Sequence, residues 1–327
     1  MVERAATVEI RPFVAADEPA VLRLLEASLG WVPDEQYARF FAWKHVENPY
    51  GASPAWVATD YGDVVGFRTY LRWEFVRAGR VLRAVRAVDT ATHPEYQGRG
   101  IFSALTLHSL AALRDDGTAF VFNTPNERSR PGYLKLGWQP LLRLPVVARP
   151  RSPLALGRLA RARTPADKWS TPSGAGVAAT DVFTDHAGLE ELLESLPADG
   201  LRTHRSVAYL TWRYGFPPLG YRAVTAPAGV RDGLVVFRLR QRGAALEAAV
   251  CEELVPGDDP VTTRRLLRRV LRESGADHAV RIGGTLPRAG FLPVPGQGPQ
   301  VVWRDISGTT MPEPAAWRLC LGDVELF

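Results

Sequence analysis

One segment of the chain places a strand, a glycine turn and a helix in direct succession. Residues 81–92 are strand-like, residues 93–100 hold turn formers, and an apolar helical pattern begins at about residue 102. The first N–H groups of a helix have no intrahelical partner, and the helix dipole is positive there. Gly98 and Gly100 let the main chain curl with its N–H groups inward. The segment predicts a cradle for a phosphate-bearing ligand or, on equal terms, a tight turn without one.

Two common phosphate motifs do not fit this segment. No Gly-Lys-Ser/Thr follows the glycines, so the turn is not a P-loop. A dinucleotide fingerprint would have a third glycine and would follow an early strand, and neither condition holds.

The order of elements predicts a mixed α/β protein of two domains. Residues 1–147 have the order β-α-α-β-β-β-α-β-α-β, with residues 138–147 as the last strand, which indicates a mixed, mostly antiparallel sheet flanked by helices. Residues 177–327 repeat this order weakly, starting with a strand over residues 177–183 and ending with one over residues 300–303. Residues 148–176 contain four prolines, and we interpret them as a linker.

Composition excludes several other classes of protein. The net charge of +5 comes from 40 basic and 35 acidic residues that are interleaved, which does not favour nucleic-acid binding. We see neither an apolar run long enough to span a bilayer nor a signal peptide, and we expect a cytoplasmic protein with no membrane partner. Cys251 and Cys320 are too far apart in sequence for a CxxC motif, and the histidines lack metal-ligand spacing, so we expect no metal.

Two motifs resemble a known family, the GNAT superfamily of N-acetyltransferases. The first motif is Pro94-Glu95-Tyr96-Gln97-Gly98-Arg99-Gly100-Ile101. The second motif is Asn126-Glu127-Arg128-Ser129-Arg130-Pro131-Gly132-Tyr133-Leu134-Lys135-Leu136-Gly137-Trp138. The resemblance covers residues 8–147, so this part would be the catalytic domain. Residues 177–327 resemble only a degenerate second copy without the phosphate loop.

The resemblance implies acetyl-CoA, or another acyl-CoA, as the co-substrate. The backbone of Thr90, Ala91 and Thr92 would pair with the pantetheine arm, and an N–H there would polarise the thioester carbonyl. Asn126 would bond to the same arm. Arg128 or Arg130 would meet the 3′-phosphate, unless both are ordinary solvated arginines. The residues implied to hold the pyrophosphate are Gln97, Gly98, Arg99, Gly100, Ile101, Phe102 and Ser103, of which Phe102 departs from the small residue typical of the family.

Three residues are candidates near the reaction. Tyr133 matches the family tyrosine that protonates the departing thiolate, although it could instead be packed in the core. Asp89 is a candidate base or amine ligand, but strand alternation could point it away from the cleft, and many family members use water as the proton acceptor. Asp323 could present a carboxylate to a cationic acceptor or, alternatively, lie in a final strand of the second sheet.

These features predict an acyl-CoA-dependent N-acyltransferase that moves an acetyl group to a primary amine of a small molecule or amino sugar by direct attack. The alternative is a non-catalytic acyl-CoA-binding regulatory or scaffold protein. We expect a monomer or homodimer. Fold alone does not fix the acceptor, and motif spacing does not reveal the acyl chain length.

Overall fold

The chain forms two compact units, each built from segments that are not contiguous in sequence. The computed structural model describes residues 8–32, 34–153, 155, 157, 165–308, 310 and 312–325. The first unit contains Met1–Phe75, Val81–Leu142 and Gln300–Pro312. The second contains Val76–Arg80, Arg143–Pro299 and Glu313–Phe327.

The first unit is a sheet with helices on it. Its strands are β1 (Glu9–Pro12), β2 (Ala55–Asp60), β3 (Asp63–Arg77), β4 (Arg80–Thr92), β5 (Phe120–Asn123), β6 (Gln139–Arg143) and β15 (Gln300–Asp305). Its helices are α1 (Glu18–Leu29), α2 (Glu35–His45), α3 (Ile101–Asp115) and α4 (Arg130–Lys135). The strand order is β1-β2-β3-β4-β5-β15-β6. Pairing is antiparallel for β1 with β2, β2 with β3 and β5 with β15, whereas β4 and β5 are parallel.

The second unit repeats this plan. Its strands are β7 (Val146–Pro150), β8 (Val177–Ala178), β9 (Leu201–Thr203), β10 (Arg222–Ala226), β11 (Gly229–Arg242), β12 (Ala245–Leu254), β13 (His278–Ile282), β14 (Leu292–Pro293) and β16 (Trp317–Arg318). Its helices are α5 (Ala179–Val182), α6 (His186–Glu194), α7 (Val207–Gly215), α8 (Pro260–Ser274) and α9 (Leu321–Val324). The sheet order is β14-β7-β13-β12-β11-β10-β8, and β12 and β13 are parallel. The predicted mixed α/β class, with two sheets flanked by helices, is therefore confirmed.

Each sheet contains one strand from the other half of the sequence. β15 lies between β5 and β6, and β7 lies between β13 and β14. The prediction of one strand over residues 138–147 was wrong, because β6 ends at Arg143 and Pro145, which has no N–H to donate, separates it from β7. The predicted strand at residues 300–303 exists, but it belongs to the first sheet.

The start of the second half and the predicted linker also differ from expectation. The strand predicted over residues 177–183 shrinks to β8, because α5 begins at Ala179. Within the predicted linker, residues 148–150 belong to β7, and residues 154, 156 and 158–164 lie outside the described residues. The division into domains 1–147 and 177–327 stays a prediction that did not anticipate the strand exchange.

Close packing of α3 against β3 fixes the position of the first turn of the helix. An added Cβ on Gly66 in β3 would lie 2.6 Å from the Ile101 side chain and 3.0 Å from that of Leu105. Leu105 is fully buried in the same apolar cluster as Val85, Val121 and Tyr133. Burial of one such leucine contributes about 1.5–3 kcal/mol. The first turn of α3 is therefore held firmly against β3.

Candidate functional site

The central strands of the first sheet part where the glycine loop begins. β4 and β5 pair from Ala84 opposite Phe120 to Arg86 opposite Phe122. β4 then continues to Thr92, while β5 ends one residue later at Asn123. Asp89 has a φ of +42°, a left-handed conformation that is uncommon for a residue other than glycine. The strands therefore leave an opening along the last third of β4.

Side-chain contacts anchor the loop that follows β4. The Tyr96 hydroxyl donates to Asp60 Oδ2 at 2.8 Å, and the Arg99 guanidinium lies 4.7 Å from the centre of the Tyr96 ring. The Asp60 hydrogen bond raises the pKa of Tyr96. Gln97 Nε2 donates to the Thr92 carbonyl at 3.5 Å. The loop thus has a defined shape although Gln97 and Arg99 are exposed.

The glycines of the loop leave the start of α3 open. Gly98 and Gly100 have φ values of +78° and +80°, and an added Cβ on either would meet no atom within 4 Å. The backbone conformation therefore requires glycine here, and crowding does not. Gly100 is the N-cap of α3, and no side chain caps this end. The backbone N–H groups at residues 101–103 have no intrahelical acceptor, so an anion can bind them.

Phe102 stands where a small residue is typical of the family, and its packing accounts for the larger side chain. Its ring stands edge-on to Tyr133, with the centroids 5.3 Å apart. An added Cβ on Gly132 would lie 3.1 Å from Phe102, so glycine in α4 makes room for the ring. Phe102 therefore packs toward α4, while Ile101 is buried and Ser103 is half-buried.

Tyr133 is buried in α4 and its hydroxyl has a charged neighbour. Arg68 Nη1 donates to the Tyr133 oxygen at 2.8 Å and to Thr90 Oγ1 at 2.9 Å. Arg68 is fully buried in β3. Sequence reasoning missed Arg68, although it shares the inward face of β3 with Gly66 and Tyr70, and a charge at such a position was the available signal.

Asp89 forms a buried ion pair. Its Oδ2 lies 2.7 Å from Lys44 Nζ and 2.9 Å from His45 Nε2, and His45 Nδ1 contacts Ser53 Oγ at 3.0 Å. Burial alone would raise the pKa of Asp89, but Lys44 and the His45 hydrogen bond hold it well below its usual range. Burial lowers the pKa of His45, against the opposing effect of Asp89. A carboxylate held this way is a poor proton acceptor, so a catalytic role for Asp89 stays a prediction that its surroundings do not favour.

The other residues implied to bind the co-substrate lie in β4 and in the turn before α4. Ala91 is buried and Thr90 is half-buried, and the Thr92 carbonyl accepts a hydrogen bond from Ser28 Oγ at 3.0 Å. Asn126 Oδ1 accepts from the backbone N–H groups of Arg128 at 3.1 Å and Ser129 at 2.9 Å, so this side chain orders the turn before α4. The side chains of Asn126 and Arg128 are exposed. Their binding roles stay predictions.

Comparison with known proteins identifies this arrangement. Residues 9–141 match the family model of the acetyltransferase (GNAT) domain. The chain carries a GNAT domain. This family uses acyl-CoA as co-substrate, and the match supports an acyltransferase.

Solved structures share the fold over both units. A probable N-acyltransferase from Enterococcus faecalis V583 is 12% identical with a TM-score of 0.64, over 92% of this chain and 73% of its own. A GCN5-related N-acetyltransferase from Kribbella flavida is 18% identical with a TM-score of 0.62, over 93% and 72%. Eis1 from Mycobacterium abscessus is 16% identical with a TM-score of 0.57, over 92% and 74%. These likenesses show the fold. No curated protein matches the sequence, and none of the described helices is both long and apolar enough to cross a bilayer.

Outside the GNAT domain, Asp323 has structural partners. It is fully buried at the start of α9, where it accepts from Thr203 Oγ1 at 2.7 Å and from the Cys320 N–H at 2.7 Å. Arg205 Nη2 donates to it at 3.2 Å. Asp323 therefore lies neither at a cleft mouth nor in a final strand, and contact with an acceptor stays a prediction without support from this position.

Glu252, Cys320 and Asp323 place possible metal-ligand atoms within 4.8 Å of one another. Arg205 hydrogen-bonds to all three of these side chains. Its guanidinium already supplies the positive charge that a metal ion would bring. The cluster is thus an internal ion pair of the second unit.

The second unit has an opening equivalent to that of the GNAT domain, at the ends of β12 and β13. A cavity of about 550 Å³ lies there. Most of its charged lining is already paired, with Arg202 3.1 Å from Asp258 and Arg205 2.8 Å from Glu252. The following helix, α8, is capped by Asp259, whose carboxylate accepts from the N–H of Thr262 at 2.8 Å. A side chain of the protein therefore fills the place that an anion would take.

Proposed function

We propose that this chain transfers an acetyl group from CoA to a primary amine of a small molecule or amino sugar, by direct attack in a ternary complex. The observation that carries the proposal is the uncapped N-terminus of α3, which lies directly after the opening between β4 and β5. A helix start with free N–H groups stabilises the charge of a pyrophosphate. Among the residues that fit this group, the backbone of residues 98–103 would hold it and Arg99 would add charge at the rim.

The residues of β4 orient the acyl end of the co-substrate. Beyond Arg86, β4 has no backbone partner in β5, so the N–H and C=O groups on that side of β4 can pair with an extended arm. Ala91 is buried and Thr90 is half-buried, which limits water around the thioester. A main-chain N–H in this stretch would stabilise the oxyanion that forms when the amine attacks.

Tyr133 supplies the proton for the leaving group. Its oxygen accepts a hydrogen bond from Arg68, so its own hydrogen is directed elsewhere. The C–S bond breaks with its electron pair on sulfur, and the Tyr133 proton passes to that sulfur. The amine loses its proton to water, since the carboxylate of Asp89 is held by Lys44 and His45.

The test combines CoA binding with thiol release. Calorimetry measures binding of CoA to the intact chain, and a thiol reagent follows acetyl-CoA cleavage with a panel of primary amines. We expect binding, amine-dependent release of thiol, and a fall in kcat of about 100-fold in Tyr133→Phe. Absence of CoA binding would overturn the proposal. Tight CoA binding without thiol release for any amine would instead support a non-catalytic acyl-CoA-binding regulator.

A further inference from the structure

Arg68 is a buried cation without a carboxylate partner among the described residues. It is fully buried, and its Nε and Nη2 have no hydrogen-bond acceptor in the part of the chain that the structure describes. The groups around its guanidinium are aromatic, with the rings of Tyr70, Tyr133 and Phe102 at 4.5, 5.2 and 5.6 Å. Lys44, which is equally buried, has Asp89 as its counter-ion. An unpaired buried charge is costly, and aromatic faces offset only part of that cost.

The hydrogen bonds of Arg68 have a fixed direction. A guanidinium only donates, so Tyr133 Oη and Thr90 Oγ1 both accept from Nη1. Thr90 in turn donates to the Val88 carbonyl at 3.3 Å. This chain of bonds orients Nη1 and leaves the Tyr133 hydrogen pointing away from Arg68.

The two tyrosine oxygens near Arg68 also affect its own protonation. Burial by itself lowers the pKa of Arg68, but the phenolic groups of Tyr133 and Tyr70 keep it above the ordinary value. The guanidinium therefore keeps its positive charge beside the Tyr133 oxygen.

We infer that Arg68 is a positioning residue for acyl transfer, which holds the Tyr133 hydroxyl in its donating orientation and stabilises the phenolate left after its proton has moved. The inference rests on the proposed function. In the step, the Tyr133 O–H bond breaks, an S–H bond forms on the departing thiolate, and the negative charge passes from sulfur to the phenolic oxygen 2.8 Å from Arg68. The phenolate then regains a proton from water. A positive charge placed where negative charge develops lowers the barrier of the step.

The experiment compares four variants in the full chain. Arg68→Met removes the charge and keeps much of the volume, Arg68→Lys keeps the charge, and Tyr133→Phe removes the acid. Arg86→Met is the matched control, because Arg86 is a buried arginine of the neighbouring strand that hydrogen-bonds to Thr124 at 3.0 Å. It faces away from Tyr133, since Val85 and Ala87 on either side of it pack in the cluster with Tyr133.

Three measurements separate a role in the reaction from a role in folding. The first is the single-turnover rate of thiol release, with KM for acetyl-CoA measured alongside. The second is the same rate in the double variant Arg68→Met with Tyr133→Phe. The third is the carbon-13 NMR signal of the Tyr133 ring carbon that bears oxygen, assigned by its loss in Tyr133→Phe and observed without any substrate.

The inference expects a rate about 10- to 100-fold lower in Arg68→Met, with KM changed by less than about three-fold. Arg68→Lys should lose less, the double variant should lose no more than Tyr133→Phe alone, and Arg86→Met should stay close to wild type. The Tyr133 ring signal should move in Arg68→Met and stay in place in Arg86→Met.

The outcomes that overturn the inference differ from those that overturn the proposed function. A folded Arg68→Met with the wild-type rate, losses that add in the double variant, or an unmoved Tyr133 signal would each overturn the role of Arg68. If Arg68→Met does not fold, Arg68→Gln takes its place, and a wild-type rate in that variant overturns the role, because a neutral amide brings no positive charge to the Tyr133 oxygen. A wild-type chain that binds no CoA overturns the proposed function itself.

Discussion

The two units contain the same strand-loop-helix arrangement, and the starts of their helices differ in one respect. α3 begins at Gly100 with no side-chain cap, whereas α8 begins at Asp259, whose carboxylate accepts from the N–H groups of Val261 and Thr262. Pro260 in α8 also lacks one N–H that an anion could use. The N–H groups at the start of α3 are therefore free for a ligand, whereas Asp259 already bonds those at the start of α8.

The ends of the neighbouring strands differ in the same way. In the second unit the opening is lined by paired charges, such as Arg205 with Glu252, and Tyr214 donates to that same carboxylate at 2.7 Å. In the first unit, β4 extends past its pairing with β5, and Thr90 on this stretch shares the Arg68 hydrogen bonds with Tyr133. Backbone geometry alone therefore does not make a binding site, because side chains of the same unit can occupy the positions that a ligand would take.

We expect the largest effect on stability from disrupting the buried charge cluster around Arg205 in the second unit. Asp323→Asn removes one carboxylate from the buried cluster of Arg205 and should lower the free energy of unfolding by about 3–5 kcal/mol. Urea unfolding measures the loss, with Asp232→Asn, an exposed carboxylate of the same unit, as the control. A loss below about 1 kcal/mol would contradict the view that this cluster supports the second unit. An unchanged acceptor KM at a temperature where the variant is folded would exclude Asp323 as an acceptor ligand.

Giving α3 a carboxylate cap like that of α8 should abolish most CoA binding. Gly100→Asp places a carboxylate where α8 has one, and it should weaken CoA binding by about 100-fold, or about 2.7 kcal/mol, by repelling the pyrophosphate. Aspartate tolerates positive φ better than most residues, which limits the strain. Calorimetry measures the affinity.

Gly79→Asp is the matched control for that change. Gly79 has a φ of +75° and open space around its Cβ position, but it lies in the hairpin before β4, at the opposite end of that strand. Equal loss of CoA affinity in both variants would argue against the cradle.

The buried titratable groups of the first unit include the imidazole of His45, which makes the stability of this unit sensitive to mild acid. Because burial lowers the pKa of His45, the unfolded chain binds more protons than the folded one just below the unfolded-state value of about 6.5. Stability that is complete above about pH 6.5 should therefore fall with decreasing pH, by at most about 1.4 kcal/mol per pH unit. Unfolding of His45→Gln should show a flatter profile than wild type. The same slope in both proteins would assign the effect to other groups.

The smallest effect should come from removing the side-chain cap of α8. Asp259→Ala should cost about 1 kcal/mol of stability, the usual effect of losing an N-cap. Asp185→Ala, which removes the cap of α6, serves as a matched control for the cap alone. CoA should still bind with a stoichiometry of one per chain, because the opening in the second unit stays lined by paired charges. A second bound CoA in Asp259→Ala would show that this one carboxylate decides the difference between the units.

Short-range patterns were enough to locate the glycine loop and the helix that follows it. The helix predicted to begin at about residue 102 is α3, and the predicted loop at residues 93–100 has the two positive φ angles that glycine permits. Both predictions depend on contacts between residues close in sequence, and local chemistry fixes these. The GNAT motifs lie in this locally determined part.

Long-range partners were not predictable in this way. Asp89 meets Lys44 and His45 from α2, Asp323 meets Thr203, and Arg68 meets Tyr133. Alternation along a strand shows which side chains face inward, but it carries no record of which element covers that face.

Local sequence patterns were sufficient for the helices and strands from β1 to α4, for the glycine turn with its free helix start, and for the absence of that turn in the second half. The exchange of β7 and β15 between the sheets and the internal ion pairs of Asp89 and Asp323 depend on tertiary packing. The same packing brings the buried charge of Arg68 to the Tyr133 hydroxyl. The reason is that a hydrophobic pattern specifies burial, whereas the choice among buried partners depends on how all the elements pack together.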